Sequence, residues 1–532
     1  MKNFNFKTAL YYSLCLCTLT ISSCTKGFEE MNKPWKDAQT ADIKGLFNGV
    51  IKNMDLGWQE QAISNSIIYP ITQLATTVGG SGYITQNASN EIWNNYYRSL
   101  ISMRQIEKLI EEDPEKAKLQ NVKAMITIIK AYRTLKMTDV FGDMPYSQAG
   151  KADLGSSNYS PTFDKQQQIY ESCLDDLKNA VDLLNVSPDQ INIGTHESLL
   201  GGDVNMWKKF GNSLRLRYAL RMNDANTTLA VLHIQDALSK PLLENIEKIG
   251  LTPSVQNFTA EGREWSFYEG CFLRMGSTAW SAMTNNNNAD GSGIFDPRAK
   301  IFFETNAKNE WKPKEQNVGT PDAGEPYNRR RDETWSNKGD GNLLSNVNYF
   351  FGRDKNIPDL MITAAEVYFL KAEAAVKGLG RSASITDAKT FYEDGVKSSI
   401  NFWTSMAINS TIWTTNKPTV PTVSQLNTVL ANPKVIFNTN ISTNDALKLI
   451  YTQRWLDNFR QPYEAWALVR QTDLTPKSTV SNELYESQYG VILRLNYADS
   501  EYQYNRANTN NATNNINNSG EWQKTKVWWD VK

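Results

Sequence analysis

The stretch that most constrains this chain is residues 121–149, NVKAMITIIKAYRTLKMTDVFGDMPYSQA. Val122, Met125, Ile126, Ile129, Tyr132 and Leu135 recur at three- and four-residue steps, which places them on one face of a helix. The periodicity stops at 138–146, where Gly142 can take a positive φ and Pro145 has no N–H to donate. The spacing predicts a packed helix running into a fixed turn that presents Phe141 and Tyr146. Other elements must close over that helix, and 532 residues are enough to bury a large core.

Composition narrows the function. The chain has 56 basic and 57 acidic residues, a net charge of −1, so no long-range field favours nucleic acid or an anionic membrane. Only two His are present, which argues against a His-based metal site or triad. Aromatics reach 11%, with 15 Trp and 23 Tyr, and serve either a large core or flat apolar ligands such as sugar rings. No H-E-x-x-H, C-x-x-C, G-x-S-x-G or Walker motif occurs, so a binding protein rather than an enzyme is expected. A glycosidase, which needs only two carboxylates, is the competing class.

At the N-terminus Lys2 and Lys7 accompany an apolar run, 8–21, too short for a comfortable membrane span and laid out as a secretory signal. Ile21-Ser22-Ser23-Cys24 resembles a bacterial lipobox, in which Cys24 is lipidated. Each buried lipid CH₂ is worth roughly 0.8 kcal/mol and stable anchoring takes two chains or more, so a multiply acylated Cys24 holds a protein on a membrane without a spanning helix. Lys26 followed by Glu29 and Glu30 resembles a surface-export signal for lipoproteins. The expected organisation is a signal peptide, 1–23, and one domain, 24–532. Cys173 and Cys271 then remain, and they admit a disulfide without implying one; Cys173 lies on an apolar helix face and is expected as a buried thiol.

The domain divides into a helical part, 24–250, a loop-rich part, 251–358, and a helical return with C-terminal loops, 359–532. Residues 41–112 read as two or three helices interrupted at 76–83, TTVGGSGY, a loop expected to present Tyr83. Residues 161–184 read as a helix capped by Asp164 with Gln167 closing a capping box, and 204–222 as its partner. Arg215, Arg217 and Arg221 on that partner are expected to pair with neighbouring helices rather than to hold phosphate. Residues 359–378 read as a helix starting at Asp359 and ending at Gly378, and 508–518 as a polar surface loop.

Loops on a rigid scaffold carry specificity. The candidate ligand platforms are therefore Tyr83, Trp265, Tyr268, Trp280, Trp311 and Trp335, whose rings can cover the apolar face of a sugar. The run 285–291, NNNNADG, is oxygen-rich, and a structural Ca²⁺ is conceivable there; it lacks the alternating acidic ligands and terminal Glu of a calcium loop, so no metal or cofactor is expected.

Several spaced motifs share one wording. They are A-Y-R-x-L-x-x-T-D-x-F-G-D-x-P-Y-S-x-A from Ala131, W-K-K-F-G-N-S-L-R-L-R from Trp207, D-P-R at 296–298, and A-A-E-V-Y-F-L-K-A-E-A-A-x-x-G from Ala364. Q-R-W-L at 453–456 follows, with E-A-W at 464–466, L-R-L-N-Y at 493–497 with Ala498 in place of a Pro, and W-W-D at 528–530. In this order they resemble the SusD/RagB nutrient-binding outer-membrane lipoproteins, most nearly the second SusD-like group. The resemblance implies a mainly α, SusD-like fold of four tetratricopeptide-like helical pairs (91–138, 166–222, 361–403 and 444–471) with a loop-rich ligand-binding face. It implies a lipid-anchored protein of the outer-membrane surface that captures oligosaccharide and delivers it to a SusC-like TonB-dependent transporter. A peptide-binding lid of the same transporter system, a purely structural lid and a glycoside-cleaving surface lipoprotein are the alternatives.

Overall fold

Helices dominate the computed structural model, which describes residues 42–54, 56–78, 83–252, 273–316, 343–348, 350–354, 357–478, 491–516 and 522–532. Cys24, Trp265, Tyr268, Cys271 and Trp335 lie outside these residues. Helix α1 (Ile43–Lys52) starts at Asp42, whose carboxylate accepts from Lys44 N and Gly45 N. Helix α2 (Trp58–Ile63) runs on through a π-helical turn (Ser64–Ile68) and a last α turn (Tyr69–Thr72), then stops at Gln73, whose φ is +60°.

The four expected pairs are present. Helices α3 (Thr85–Glu112) and α4 (Gln120–Phe141) make the first, α5 (Gln166–Leu183) and α6 (Val204–Arg221) the second, with α7 (Thr227–Leu238) beside α6. The third is α8 (Ala364–Lys377) with α9 (Ile385–Ile408), followed by α10 (Val423–Leu430); the fourth is α11 (Thr443–Asp457) with α12 (Pro462–Gln471). Helix α4 packs against α3 and against α5, which buries Lys130, Thr134, Thr138 and Asp139 as well as its apolar face. A central helix is covered from several sides, so its sequence shows less amphipathic contrast than a surface helix would.

Three boundaries differ from the sequence reading. Asp164 does not cap α5: it sits in a short strand, β3 (Phe163–Asp164), antiparallel to β2 (Met144–Pro145), and its carboxylate accepts from Tyr146 N, Ser147 N and Ser147 Oγ. Asp143 takes over by accepting from Gln166 N at 2.9 Å, and Gln168, not Gln167, accepts from the Lys165 N–H. Asp359 opens a strand, β8 (Asp359–Thr363), paired antiparallel with β4 (Lys248–Leu251); helix α8 begins only after Thr363, whose hydroxyl accepts from Glu366 N. The tail forms a helix, α13 (Arg506–Ile516), because Thr509 Oγ1 bonds back to Glu501 O and Asn508 Nδ2 reaches Ser160 O.

Apolar side chains form two clusters. One joins α1 through α7 to the C-terminal residues Leu495, Tyr497 and Trp529; the other joins the 273–303 segment to α8 through α12. Helices α8 and α12 contribute to both, Leu370 and Trp466 to the first, Phe369 and Leu468 to the second.

Between them runs a line of buried charge. Asp139 of α4 pairs with Arg221 of α6, Arg221 with Glu464 of α12, Arg217 with Glu464 and with Glu366 of α8, and Arg454 of α11 with Glu366 at 3.0 Å. The three α6 arginines thus pair with neighbouring elements, as expected; Arg215 takes Asp236 of α7. Desolvation opposes the ionised Glu464, but the guanidinium groups of Arg217 and Arg221 outweigh it and hold this carboxyl down at about 2. Such pairs are expensive to bury and more expensive to break, so they fix which helices meet.

The motifs converge on this line. The Trp529 indole donates to Asp139 Oδ1, Leu495 N donates to Val140 O, and Tyr497 Oη donates to Asp143 O. Gly142 has φ +77°, and a Cβ there would sit 2.7 Å from Arg494 Nη2, so Gly is required twice over. Arg298 of the D-P-R element is fully buried, holding Asp296, Ser399 Oγ and Gln453 Oε1, a structural role.

Candidate functional site: the loop-bearing face

A short four-stranded antiparallel sheet roots the loop-rich part. Its order is β1 (Thr76–Thr77), β5 (Leu273–Arg274), β7 (Asn346–Val347) and β6 (Phe303–Glu304). Next to β1 stands Gln73, buried in its left-handed turn. Its Oε1 accepts from Thr278 Oγ1 at 2.7 Å and from Ser478 N at 2.7 Å, and its carbonyl accepts from Gln316 Nε2 at 3.4 Å. Thr278 lies just after β5, Gln316 directly precedes 317–342, and Ser478 directly precedes 479–490. One residue therefore ties together the roots of several loop-bearing segments, two through its side chain and one through its backbone carbonyl.

Beside this root lies a groove of about 1,210 Å³. One wall is a short helix, Ser277–Met283, with Ser277, Thr278 and Ser281 turned to the groove and Asn287 beyond it; the other carries Lys434, Asn438, Asn444 and Thr452. Lys434 Nζ donates to Ser281 O and Thr284 O, both at 2.7 Å, and Asn432 Nδ2 donates to Asn285 Oδ1, so the two walls are joined at one end. The lining also carries Lys448, Lys477, Asp445 and Asp473, and its hydroxyls and amides offer both donors and acceptors that a polyhydroxylated or amide-bearing ligand could use.

The candidate aromatics divide. Trp280 and Trp311 stack with centroids 5.4 Å apart and planes 17° apart. Trp280 is 0% exposed, so in this conformation it is the floor beneath Trp311 and offers no face of its own to a ligand. Trp311 is half-buried, and its backbone N–H donates to Ala289 O of the loop whose Asn287 lines the groove. Gly291, at φ +75°, lets that loop approach: a Cβ would lie 2.7 Å from the Trp311 indole. Tyr83 is elsewhere. It packs against the first cluster, and its hydroxyl donates to Gln59 Oε1 at 2.9 Å. Burial, with Glu91 nearby, pushes its phenol up. The structure thus brings Trp280 and Trp311 together and leaves Tyr83 apart from them.

The groove's polar residues are the part that sequence reasoning missed. They come from separated segments of the chain, and the only local signal was the Asn-rich run 285–291. In that run Asn286 Oδ1 accepts from Asn288 N and Asp290 Oδ1 from Ser292 N, so these oxygens already hold the turn. Among the described residues no group of three or more His, Cys, Asp or Glu is placed to hold a metal, and no helix is long and apolar enough to cross a membrane. Cys173 is a buried free thiol, pushed up to about 12 by desolvation, with its Sγ 3.8 Å from Tyr146 Oη.

Solved structures share this architecture. A chitin-binding protein superposes with a TM-score of 0.71 at 23% identity, over 92% of this chain and 100% of that one. A chitin-binding SusD homolog from Flavobacterium johnsoniae does so with a TM-score of 0.67 at 21% identity, over 92% and 99%. A SusD homolog from Parabacteroides distasonis gives 0.68 at 19% identity, over 92% and 98%. No curated protein matches the chain in sequence. The model of the second SusD-like family, described as "Starch-binding associating with outer membrane", matches residues 36–498. The chain therefore belongs to the second SusD-like family.

Proposed function

We propose that this protein captures oligosaccharide on its loop-bearing face, at the outer-membrane surface, and passes it to a SusC-like TonB-dependent transporter. The observation that carries this reading is the groove: an open trough of about 1,210 Å³ with hydroxyl- and amide-bearing walls, bordered by the loop that seats Trp311. Its lining suits a ligand rich in hydroxyls, and the stacked indole pair supplies an apolar ring for the face of a sugar. Two structural relatives carry chitin-binding in their names, which favours a saccharide over a peptide. In this reading Cys24 carries the lipid anchor, the protein acts by binding and not by turnover, and Trp265, Tyr268 and Trp335 add further aromatic contacts. Neither metal nor cofactor takes part.

The test is a titration of the purified protein with starch- and chitin-derived oligosaccharides and with an oligopeptide panel, followed by tryptophan fluorescence and calorimetry. Saturable saccharide binding with a shift in Trp emission supports the reading. Binding of peptides alone moves the protein to peptide uptake, and slow cleavage of a bound glycan makes it a hydrolase.

A further inference from the structure

Behind the segment 473–477, on the side away from the groove, lies a second cavity of about 390 Å³, within the size range of small-molecule sites. Asp473, Pro476 and Lys477 line both spaces, so this segment is the partition between them. The second cavity contains Asp530, a residue only 4% exposed whose Oδ1 is buried without a partner. Among the described residues its carboxylate makes no hydrogen bond and no ion pair. A buried carboxylate without a hydrogen bond is costly, even with Arg470, Lys526 and Lys532 near enough to favour its charge. Burial accordingly raises the Asp530 carboxyl above the usual range.

Facing the same space is Arg470, also 4% exposed. Its guanidinium lies 4.0 Å from the Trp466 ring and 4.9 Å from that of Trp529. Its Nη1 donates to Asp139 O and Leu493 O, both at 2.8 Å, and its Nε weakly to Trp466 O, while Nη2 makes no hydrogen bond among the described residues. Lys526 stands at the rim, and its ammonium makes no ion pair among the described residues. The other two lysines are occupied: Lys477 and Lys532 both bind Asp473 at 2.9 Å.

The cavity therefore holds a carboxylate without a hydrogen bond, one Arg470 nitrogen, Nη2, that makes none among the described residues, and the Lys526 ammonium. An ammonium ligand would meet Arg470 and Lys526. A carboxylate ligand would meet Asp530. A neutral ring bearing hydroxyls satisfies all three, because each O–H can donate to the carboxylate while its oxygen accepts from the cations. We infer that this pocket is a separate saccharide subsite, holding one neutral sugar residue between Asp530 on one side and Arg470 with Lys526 on the other. The inference rests on the saccharide reading given above.

The test uses the purified protein, its Asp530→Asn and Lys526→Ala variants, and four probes: glucose, N-acetylglucosamine, glucosamine and glucuronate. Calorimetry and crystals soaked in each sugar are expected to show the two neutral sugars in the pocket, with the charged ones bound about tenfold more weakly. Each substitution is expected to weaken the neutral monosaccharide about tenfold while leaving oligosaccharide binding in the groove intact. Lys526 is exposed, so its variant folds in any case and keeps the inference falsifiable. If oligosaccharides bind but soaked crystals show only water at Asp530, or both variants bind monosaccharide as the parent does, the pocket inference is overturned and the groove reading stands. If no saccharide of any length binds, both fall.

Discussion

Trp529 Nε1 donates to Asp139 Oδ1 across 2.7 Å, so the closing motif of the sequence meets the T-D-x-F-G-D motif, 390 residues away along the chain, inside the core. The same oxygen receives the Tyr170 hydroxyl, and Asp139 Oδ2 receives Arg221. Replacing Trp529 by Phe removes one donor from a buried carboxylate and is expected to cost about 1–3 kcal/mol. Replacing Asp139 by Ala leaves Arg221 with Glu464 alone and is expected to cost about 3–5 kcal/mol. Urea unfolding measures both; a loss under about 0.5 kcal/mol in the Asp139 variant, the scale of an ordinary surface substitution, would mean that the charge line does not organise the helices.

A second expectation concerns acid. Arg215 Nε donates to His233 Nδ1 at 2.9 Å, which requires a neutral imidazole. Burial first, and Arg215 second, lower the His233 pKa from 6.5 to about 4. The folded value lies below the unfolded one, so between these two pH values the unfolded chain binds more protons. The contribution is whole above pH 6.5 and is lost as pH falls towards 4, amounting to at most about 3 kcal/mol. Melting temperatures of the parent and His233→Gln across this pH range test the idea: the variant should show the shallower slope, and parallel curves would contradict it.

For the groove, Trp311→Ala removes the exposed partner of the stacked pair while Trp280 stays in the core. Oligosaccharide affinity is expected to fall by about 1–3 kcal/mol, by analogy with the loss when the aromatic platform under a stacked nucleobase is truncated. Calorimetry on folded protein provides the number, and unchanged affinity would remove Trp311 from the site. Tyr83→Phe loses only a hydroxyl bound to Gln59, so its effect should appear in stability and not in affinity.

At the root of the loops, Gln73→Ala deletes the acceptor shared by Thr278 and Ser478. It also places Ala at a φ of +60°. A stability loss of about 1–2 kcal/mol is expected. The specific sign is faster amide exchange at Ser478, with exchange in α5 unchanged. Equal acceleration in both places would indicate general loosening instead.

How much was legible in the sequence follows from where each residue ended up. Helices such as α4, α5 and α6 could be read because apolar spacing is a local signal, while the count of four pairs came from the family resemblance. The motif residues Asp139, Arg217, Arg221, Arg298, Arg494 and Trp529 proved to be buried in the core, with Asp139 joined to both Arg221 and Trp529, which is why their wording marks the fold and says little about the ligand. Asp164 and Asp359 were misplaced because each is claimed by a strand pairing that no local pattern announces. The tail helix was read as a loop because its stabilising contacts, from Asn508 to Ser160 and Pro161, come from a segment 348 and 347 residues earlier. Trp280 and Trp311 were chosen as loop aromatics, but that they stack, and which of the two rings is covered, depends on packing. Apart from the Asn-rich run that holds Asn287, the groove's hydroxyls and amides carried no signal, since Ser, Thr and Asn are ordinary in any loop.

Gln73 has one further consequence. Because the stretches after Gln316 and Ser478 start from residues held by Gln73, one through its backbone carbonyl and one through its side-chain amide, their length and wording can change without disturbing the helices beneath. On the function proposed above, recognition and architecture are separable: exchanging whole segments at these seams, as cassettes in a frame, should change specificity and leave the helical frame as it is.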